Sequence, residues 1–475
     1  MRLTHGLIGL LAGLTAAGTI STTQMRNVVY FDQYHTAIVP GKDITAGITH
    51  VIMTFANSSL FAPTTSGPYT PFMPVPSVRA HFDSGAKVGI AIGGWGDTAG
   101  FSAGAASAET RHTYAANVAS MAAEHGFDFV DVDWEYPGGN GEDYRQTPNA
   151  DKTTEITTFP LLLKEIKAAI APRALSIAVP GLERDMIAYT PEQAPQIFAS
   201  VDMVNVMAYD LMNRRDVVTK HHSSVSGSLD SVRRYTALGL DASKINLGLA
   251  YYAKYFQTPA NASACTTGTG CPIVPAENAD GSDAGTSGTV TFERQVSVPG
   301  NLTTSTDESC GTGTFFTCAG LAGKGCCSQY GYCGATTAHC GAGCQNGYGT
   351  CSGADIQTSY QTAMERGVLD QREGGMWYWD AEANLFWTWD TVELMQRKFV
   401  EIVAPLGLGG VMAWSLGEDS ADWSHILAVS QAVREKGSPL MIAGRHAREV
   451  HRRAMRPGRY QMRHEHVREV SVGEL

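Results

Sequence analysis

The sequence predicts an α/β protein: a closed (β/α)8 TIM barrel with a small α+β insertion before its last strand and a disulfide-rich knot inside that insertion. Three observations lead there. Eight short apolar runs recur along the 475 residues, with helix-spaced segments between them. About 150 residues separate the seventh run from the eighth, so something is inserted at that point. All ten cysteines fall inside that gap, eight of them between Cys310 and Cys351.

The strands expected from the apolar runs are Asn27–Phe31, His50–Phe55, Lys87–Ile92, Phe129–Trp134, Leu175–Val179, Met203–Ala208, Ile245–Tyr251 and Gly410–Trp414. Most are continuously apolar, as strands covered on both faces must be. Helical spacing is clearest at Arg111–His125, Phe159–Ile170, Leu229–Leu238 and Thr391–Val403, and a last helix is expected near Ala421–Lys436. Inside the gap, Thr258–Gly300 is rich in Gly, Ser, Thr and Ala and reads as loop; Met376–Asp390 is rich in Trp. The expected domains are a leader over 1–22, a discontinuous barrel over 25–308 and 353–436, a module over 309–352 and a tail over 437–475. The tail holds eight Arg, four His and four Glu with few large apolar residues, so it reads as disordered. A basic arm touching an anionic wall polymer is the sharper alternative.

The formal charge of −11 argues against a nucleic-acid partner. Arg2 followed by the apolar run Leu7–Ala17 and small residues reads as a cleavable secretory signal, and it is too short to span a membrane. The even number of cysteines agrees with an oxidising compartment, as do glycosylation sequons at Asn57, Asn261 and Asn301. The expected protein is therefore secreted, extracellular, free of membrane association and monomeric.

Chemistry is concentrated in Phe127-Asp128-Phe129-Val130-Asp131-Val132-Asp133-Trp134-Glu135-Tyr136-Pro137. In a strand, Asp131, Asp133 and Glu135 share one face. Burying three unpaired carboxyl groups is expensive, so acids placed there point to catalysis. The plain alternative, the wet face of an edge strand, fits poorly with Gly126 before the run and Pro-Gly-Gly after it. Glu135 lies at the C-terminal end of the fourth strand, where barrels of this kind carry their catalytic groups. Asp128 has the opposite parity and is assigned to supporting the strand.

The 42 residues from Cys310 to Cys351 contain too few aliphatic side chains for an adequate core, so disulfides must hold them. The adjacent Cys326-Cys327 pair argues against a simple zinc site. The run Cys326-Cys327-Ser328-Gln329-Tyr330-Gly331-Tyr332-Cys333-Gly334 resembles a hevein-type chitin-binding module. That resemblance implies the pairings Cys310–Cys327, Cys318–Cys333, Cys326–Cys340 and Cys344–Cys351, which leaves Cys265 and Cys271 to pair. It also implies a sugar platform of Ser328, Tyr330 and Tyr332, with His339 at the third aromatic position.

The segment Asp128–Glu135 matches the Asp-x-x-Asp-x-Asp-x-Glu signature of glycoside hydrolase family 18, the chitinases. Tyr30-Phe31, Gly93-Gly94, Met207-Ala208-Tyr209-Asp210 and Gly410-Val411-Met412-Ala413-Trp414 resemble the same family at the expected strands. The whole is similar to secreted fungal-type chitinases carrying the module. The resemblance implies hydrolysis of β-1,4 bonds in N-acetylglucosamine polymers with retention, assisted by the substrate's own acetamido group, and no cofactor or metal. It implies that Glu135 is the acid/base, that Asp133 orients the acetamido group, and that Asp131 shares a proton with Asp133. Tyr209 and Asp210 would complete the catalytic set, with substrate contacts from Tyr30, Gly94, Trp95, Tyr136, Met207 and Trp414. Partners would be chitin and chitooligosaccharides.

Two departures from the family pattern stand out. Ala91 replaces a serine that could bond the Asp131/Asp133 pair, which predicts an altered acid limb of the pH–rate profile. Lys254 stands where an arginine is common. The Trp-rich stretch supplies sugar-stacking candidates in Trp377, Tyr378, Trp379, Phe386, Trp387 and Trp389, of which several must simply be core. A non-hydrolytic lectin and an endo-β-N-acetylglucosaminidase acting on N-glycans remain as alternatives.

Overall fold

The structure is a computed structural model that describes residues 24–435 except 37, 261–264, 296–300, 312–313, 329, 342–343 and 352–354. The leader expected over 1–22, the Asn261 sequon and the tail over 437–475 lie outside the described residues.

Strands β1 (Arg26–Asp32), β2 (His50–Ala56), β3 (Lys87–Gly93), β4 (Phe129–Asp133), β5 (Ala174–Pro180), β6 (Met203–Met207) and β7 (Ile245–Ala250) stand side by side in chain order. The closing strand, Gly410–Trp414, pairs in parallel with both β7 and β1 and completes the barrel. The expected strands agree with these to within a residue or two at each end. Alternation divides each strand. On β4, Val130 and Val132 point outward into the shell of side chains under the helices, while Phe129 joins Tyr30, Ile52, Ala91 and Met412 in the barrel interior. Both faces are thus buried, which is why the runs read as continuously apolar.

The helix before β4 spans Ala108–His125. Ser107 caps it in a reciprocal box with Thr110, and Gly126 ends it in a left-handed turn. Its buried Tyr114, Val118 and Ala122 recur every four residues against the barrel wall. The helix expected at Thr391–Val403 is α-helical over Val392–Lys398 and then widens into a π turn over Phe399–Val403.

The insertion between β7 and the closing strand forms a five-stranded antiparallel sheet, ordered Val368–Asp370, Gly375–Asp380, Leu385–Trp389, Tyr252–Gln257, Ser287–Thr291. Helix Ile356–Arg366 packs on it, and the Trp387 indole donates to Ser359 Oγ at 2.9 Å across the contact. The aromatic residues expected to stack on sugar form this subdomain's core instead. Phe386, Trp387 and Trp389 are buried. Trp377 packs beside Met212, Phe256 and Ile273, Tyr378 packs on the main core, and Trp379 donates to Thr258 Oγ1 at 3.1 Å. A sheet covered by a helix on one side needs these faces for its own cohesion.

The cysteine-rich segment is held by disulfides Cys310–Cys327, Cys318–Cys333, Cys326–Cys340 and Cys344–Cys351, and Cys265–Cys271 closes a short loop before it. Four of those cysteines surround Tyr348 in a miniature core.

The top of β3 turns sharply at Gly93, whose φ is +104°; a Cβ there would lie 2.3 Å from the Asp133 carbonyl oxygen. Gly93→Ala is expected to cost about 1–3 kcal/mol or more through strain and displacement of β4. Thermal unfolding checks this, and an unchanged Tm would refute it.

Candidate active site

The inward alternation of β4 aims Asp131 and Asp133 up the barrel axis, and Glu135 follows in the turn above the strand. Parallel pairing places Ser176 of β5 directly beside Asp131. Asp131 is fully buried and every oxygen is used: Oδ2 accepts from the Tyr30 hydroxyl at 2.8 Å, and Oδ1 accepts from Ser176 Oγ and from Asn205 Nδ2 at 3.1 Å. Burial pushes its carboxyl up to about 6 against these three donors, which favour the charged form.

This bears on the Ala91 departure. The hydroxyl missing at Ala91 is supplied by Ser176 from the other neighbouring strand. Asp131 is therefore supplied with three donors of its own, and its charge is one of the causes that raise Asp133. Asp133 Oδ1, buried, accepts from no protein group. Burial, then the charge of Glu135, then that of Asp131 raise the Asp133 carboxyl well above the ordinary range. Glu135, half-buried, is pushed up to about 7 by burial, against a hydrogen bond from Tyr136.

Tyr209 and Asp210 follow β6. The Tyr209 hydroxyl reaches only the soft Met412 Sδ, at 3.7 Å. Asp210, at φ +52°, accepts from the Tyr252 hydroxyl at 2.8 Å and pairs with Lys254 Nζ at 3.0 Å. Its carboxyl stays far below the usual range: the Lys254 charge, with help from His222 and Tyr252, overcomes burial. Lys254 thus serves Asp210 as a single point charge.

These groups line a cavity of about 860 Å³ that also takes in Gly94, Trp95, Tyr136, Met207 and Trp414. Tyr30 lies just beneath, its ring 5.4 Å from that of Trp414. Trp414 stacks on Phe55 at 5.7 Å, and its indole donates to Glu418 at 3.2 Å. Trp95 is 47% exposed on the rim. Asp128 sits at the opposite end of β4, accepting from the Val88 amide and paired with Arg79 at 2.7 Å. In the module Tyr330 and Tyr332 are exposed, whereas Ser328 is buried, contrary to its expected place on a surface platform. Its hydroxyl accepts from the Tyr332 amide at 3.2 Å and shapes the turn. The His339 ring covers Gly334 and meets Thr336 Oγ1 at 2.7 Å.

Ligand-type clusters among the described residues are two. Cys310, Cys318 and Cys333 are consumed in disulfides. Asp32, His35 and Glu418 form the other; there the two carboxylates hold His35 up near 9 against burial, so it acts as a cation between anions.

The profile of glycosyl hydrolases family 18 matches residues 26–419. The chain belongs to glycosyl hydrolase family 18. Chitinase 1 of Aphanocladium album is 30% identical over 192 residues, covering 36% of this chain and 42% of that protein. The chain spans under half the length of the curated relatives it matches. Among solved structures, the second catalytic domain of the Ostrinia furnacalis Group II chitinase superposes with a TM-score of 0.59 at 18% identity, covering 87% of this chain and 98% of that one. A mutant GH18 chitinase from Cycas revoluta, solved in complex with (GlcNAc)4, superposes at 0.56 with 20% identity, covering 86% and 99%. Both likenesses concern the fold.

Sequence reading passed over Ser176, Asn205 and Arg215. The first two each interrupt an apolar strand run, a visible signal of a buried polar partner. Arg215 lies 3.9 Å over the Tyr144 ring and 5.8 Å from that of Trp95, and donates to the carbonyls of Asn140 and Gly141 at 2.9 and 2.8 Å. It clasps two rim loops, and nothing local in the sequence announces it.

The donors to Asp131 stabilise its charged form, so their benefit is present above pH 6 and fades as pH falls through about 6. Ser176→Ala is therefore expected to destabilise by about 1–3 kcal/mol at pH 8, and less at pH 5. Glu135 has the opposite sign: its raised pKa makes the native state lose stability as pH climbs from about 4.5 to 7. Glu135→Gln is expected to raise Tm more at pH 8 than at pH 5. Melting curves at the two pH values check both, and equal effects at both pH values would refute them.

Proposed function

We propose that this family 18 protein is a secreted chitinase, cleaving β-1,4 bonds between N-acetylglucosamine units with retention by substrate-assisted catalysis. The observation that carries the reading is the contrast along β4: an unpartnered, buried Asp133 oxygen beside a glutamic acid held protonated to about pH 7.

Retention through two protein carboxyls needs them about 5–5.5 Å apart across the scissile bond. Asp133 and Glu135 rise from one strand and approach a sugar from the same side. Asp210 is committed to Lys254 and Tyr252. The attacking group is then the substrate's own 2-acetamido oxygen. It closes on C1 while the C1–O4 bond breaks and Glu135 hands its proton to the departing O4. The acetamido N–H bonds the free Asp133 oxygen, which stabilises the oxazolinium cation. Tyr209 donates its hydroxyl to the acetamido oxygen, and Trp414 floors the ring. Water then adds at C1 as the bond from C1 to the acetamido oxygen breaks, and Glu135 takes up the water's proton. Asp131 acts on Asp133 through its charge, which helps to raise the Asp133 carboxyl.

The cysteine-rich segment is read as the hevein-like anchor, with Tyr330 and Tyr332 as its exposed rings. Binding to insoluble polymer raises the local concentration of cleavable chain. The leader, the disulfides and the module together support an extracellular, wall-associated role.

Glu135→Gln is expected to lower reducing-end release from colloidal chitin by roughly 10²–10⁴-fold, and wild-type activity should fall as pH rises through about 7. The first product from a soluble hexasaccharide should be the β-anomer by NMR, and fully deacetylated polymer should resist cleavage. Binding without release would make the protein a lectin, and equal cleavage of deacetylated polymer would remove the acetamido mechanism.

A further inference from the structure

The cavity that holds Glu135 and Trp414 is also lined by an aromatic residue of the cysteine-rich module, Tyr330. Its ring is 67% exposed. Tyr332, two residues on and 59% exposed, is not among the described residues that line the cavity. The module is thus seated on the rim of the cleft with one of its two rings turned into it.

The seat is built. It consists of the insertion loop Glu277–Gly285, folded back on itself by a bridge between Glu277 and Asp283. Three contacts tie that loop to the barrel: the Tyr144 hydroxyl donates to Glu277 Oε2 at 2.7 Å, Gln146 Nε2 donates to the Asp280 carbonyl at 2.7 Å, and Arg145 covers Gly281. Asp283 accepts from the Gly285 amide at 2.8 Å and lies 3.6 Å from Arg214. On the module side, the turn Thr337–Cys340 meets the same loop: a Cβ on Gly285, at φ +71°, would lie 3.5 Å from the Thr337 carbonyl oxygen.

We propose that Tyr330 is a sugar subsite of the catalytic cleft itself, so that a single N-acetylglucosamine chain runs from the module's ring across Trp95 to Glu135. The module is then a wall of the cleft as well as an anchor. This rests on the chitinase and hevein-like readings above. The chemistry suits a neutral polysaccharide: flat aromatic faces for the C–H faces of sugar rings, and Asp283, Arg214 and Glu142 alongside for hydroxyl and acetamido groups. A short substrate held near Glu135 never reaches Tyr330, whereas a longer one does. The arrangement therefore discriminates by chain length.

Steady-state kinetics on the full chain test this, with a soluble hexasaccharide compared with a chromogenic disaccharide glycoside. Tyr330→Ala is expected to raise KM for the hexasaccharide about tenfold or more, near 1.4 kcal/mol, with kcat and all disaccharide constants unchanged. Tyr330→Phe should keep most of the hexasaccharide KM, because the ring is retained. Tyr332→Ala should weaken retention on insoluble chitin. A free-thiol assay that finds all cysteines still bonded shows that each variant is folded. Unchanged hexasaccharide KM in Tyr330→Ala would overturn the subsite. Calorimetric binding of the hexasaccharide to Glu135→Gln, with and without Tyr330→Ala, separates the two readings. If the wild type cuts nothing, the chitinase reading fails, yet a Tyr330-dependent loss of binding still supports the subsite and an equal affinity still overturns it.

Discussion

Removing three carboxyl groups from water on the inner face of one strand is the constraint around which this molecule is arranged. Each group meets the same cost, several kcal/mol for a buried charge without a partner, and each meets it differently. Asp131, deepest, is surrounded by donors from β1, β5 and β6. Asp133, above it, receives none on Oδ1 and carries a strongly raised pKa. Glu135, half-buried at the rim, is left protonated near neutrality. A gradient of solvation along three alternate residues yields a fixed base layer, an open acceptor and a proton donor.

The barrel is what makes that gradient possible. Donors to Asp131 must come from both sides and from across the lumen, and only a closed sheet offers neighbours in all those directions. Asn205 extends the layer, accepting at its own Oδ1 from Asn246 of β7 at 2.8 Å. The opposite logic governs Asp210. There a lysine at 3.0 Å keeps the carboxylate charged, so two acids facing one cavity titrate at opposite ends of the range. Separating acids in this way is how one site holds a proton donor and a fixed anion at the same pH.

What could be read from the sequence followed from distance along the chain. The eight strands were legible because burial on both faces leaves continuous apolar runs, and the acid stack was legible because period-two spacing is local. The partners of the stack were not. Ser176 and Asn205 lie 45 and 74 residues from Asp131, and only barrel register brings them beside it. Ala91 looked like a lost hydroxyl for the same reason: the strand on its other side was out of view. Which residues of the Trp-rich stretch are core was not legible, because aromatic content does not say which face of a sheet is covered, and helix Ile356–Arg366 covers this one. Ser328 was misread because its hydroxyl is needed inside the turn that presents Tyr332.

Placement of the cysteine-rich module follows from the same geometry. The insertion leaves the barrel at the C-terminal end of β7, on the rim that carries Glu135, and returns just before the closing strand. A module grafted there is held at both ends close to the cleft, whereas one appended to a chain terminus would sample a large volume through a flexible linker. Two-ended attachment reduces the entropy lost when a polymer bridges module and cleft. It also fixes the direction from which a chain enters. The loop Glu277–Gly285 adds a rigid shelf between the two, and its acids keep that shelf wet and polar beside the aromatic ring. On the proposed reading, binding and cleavage become steps along one groove, set by where the chain leaves and re-enters the barrel.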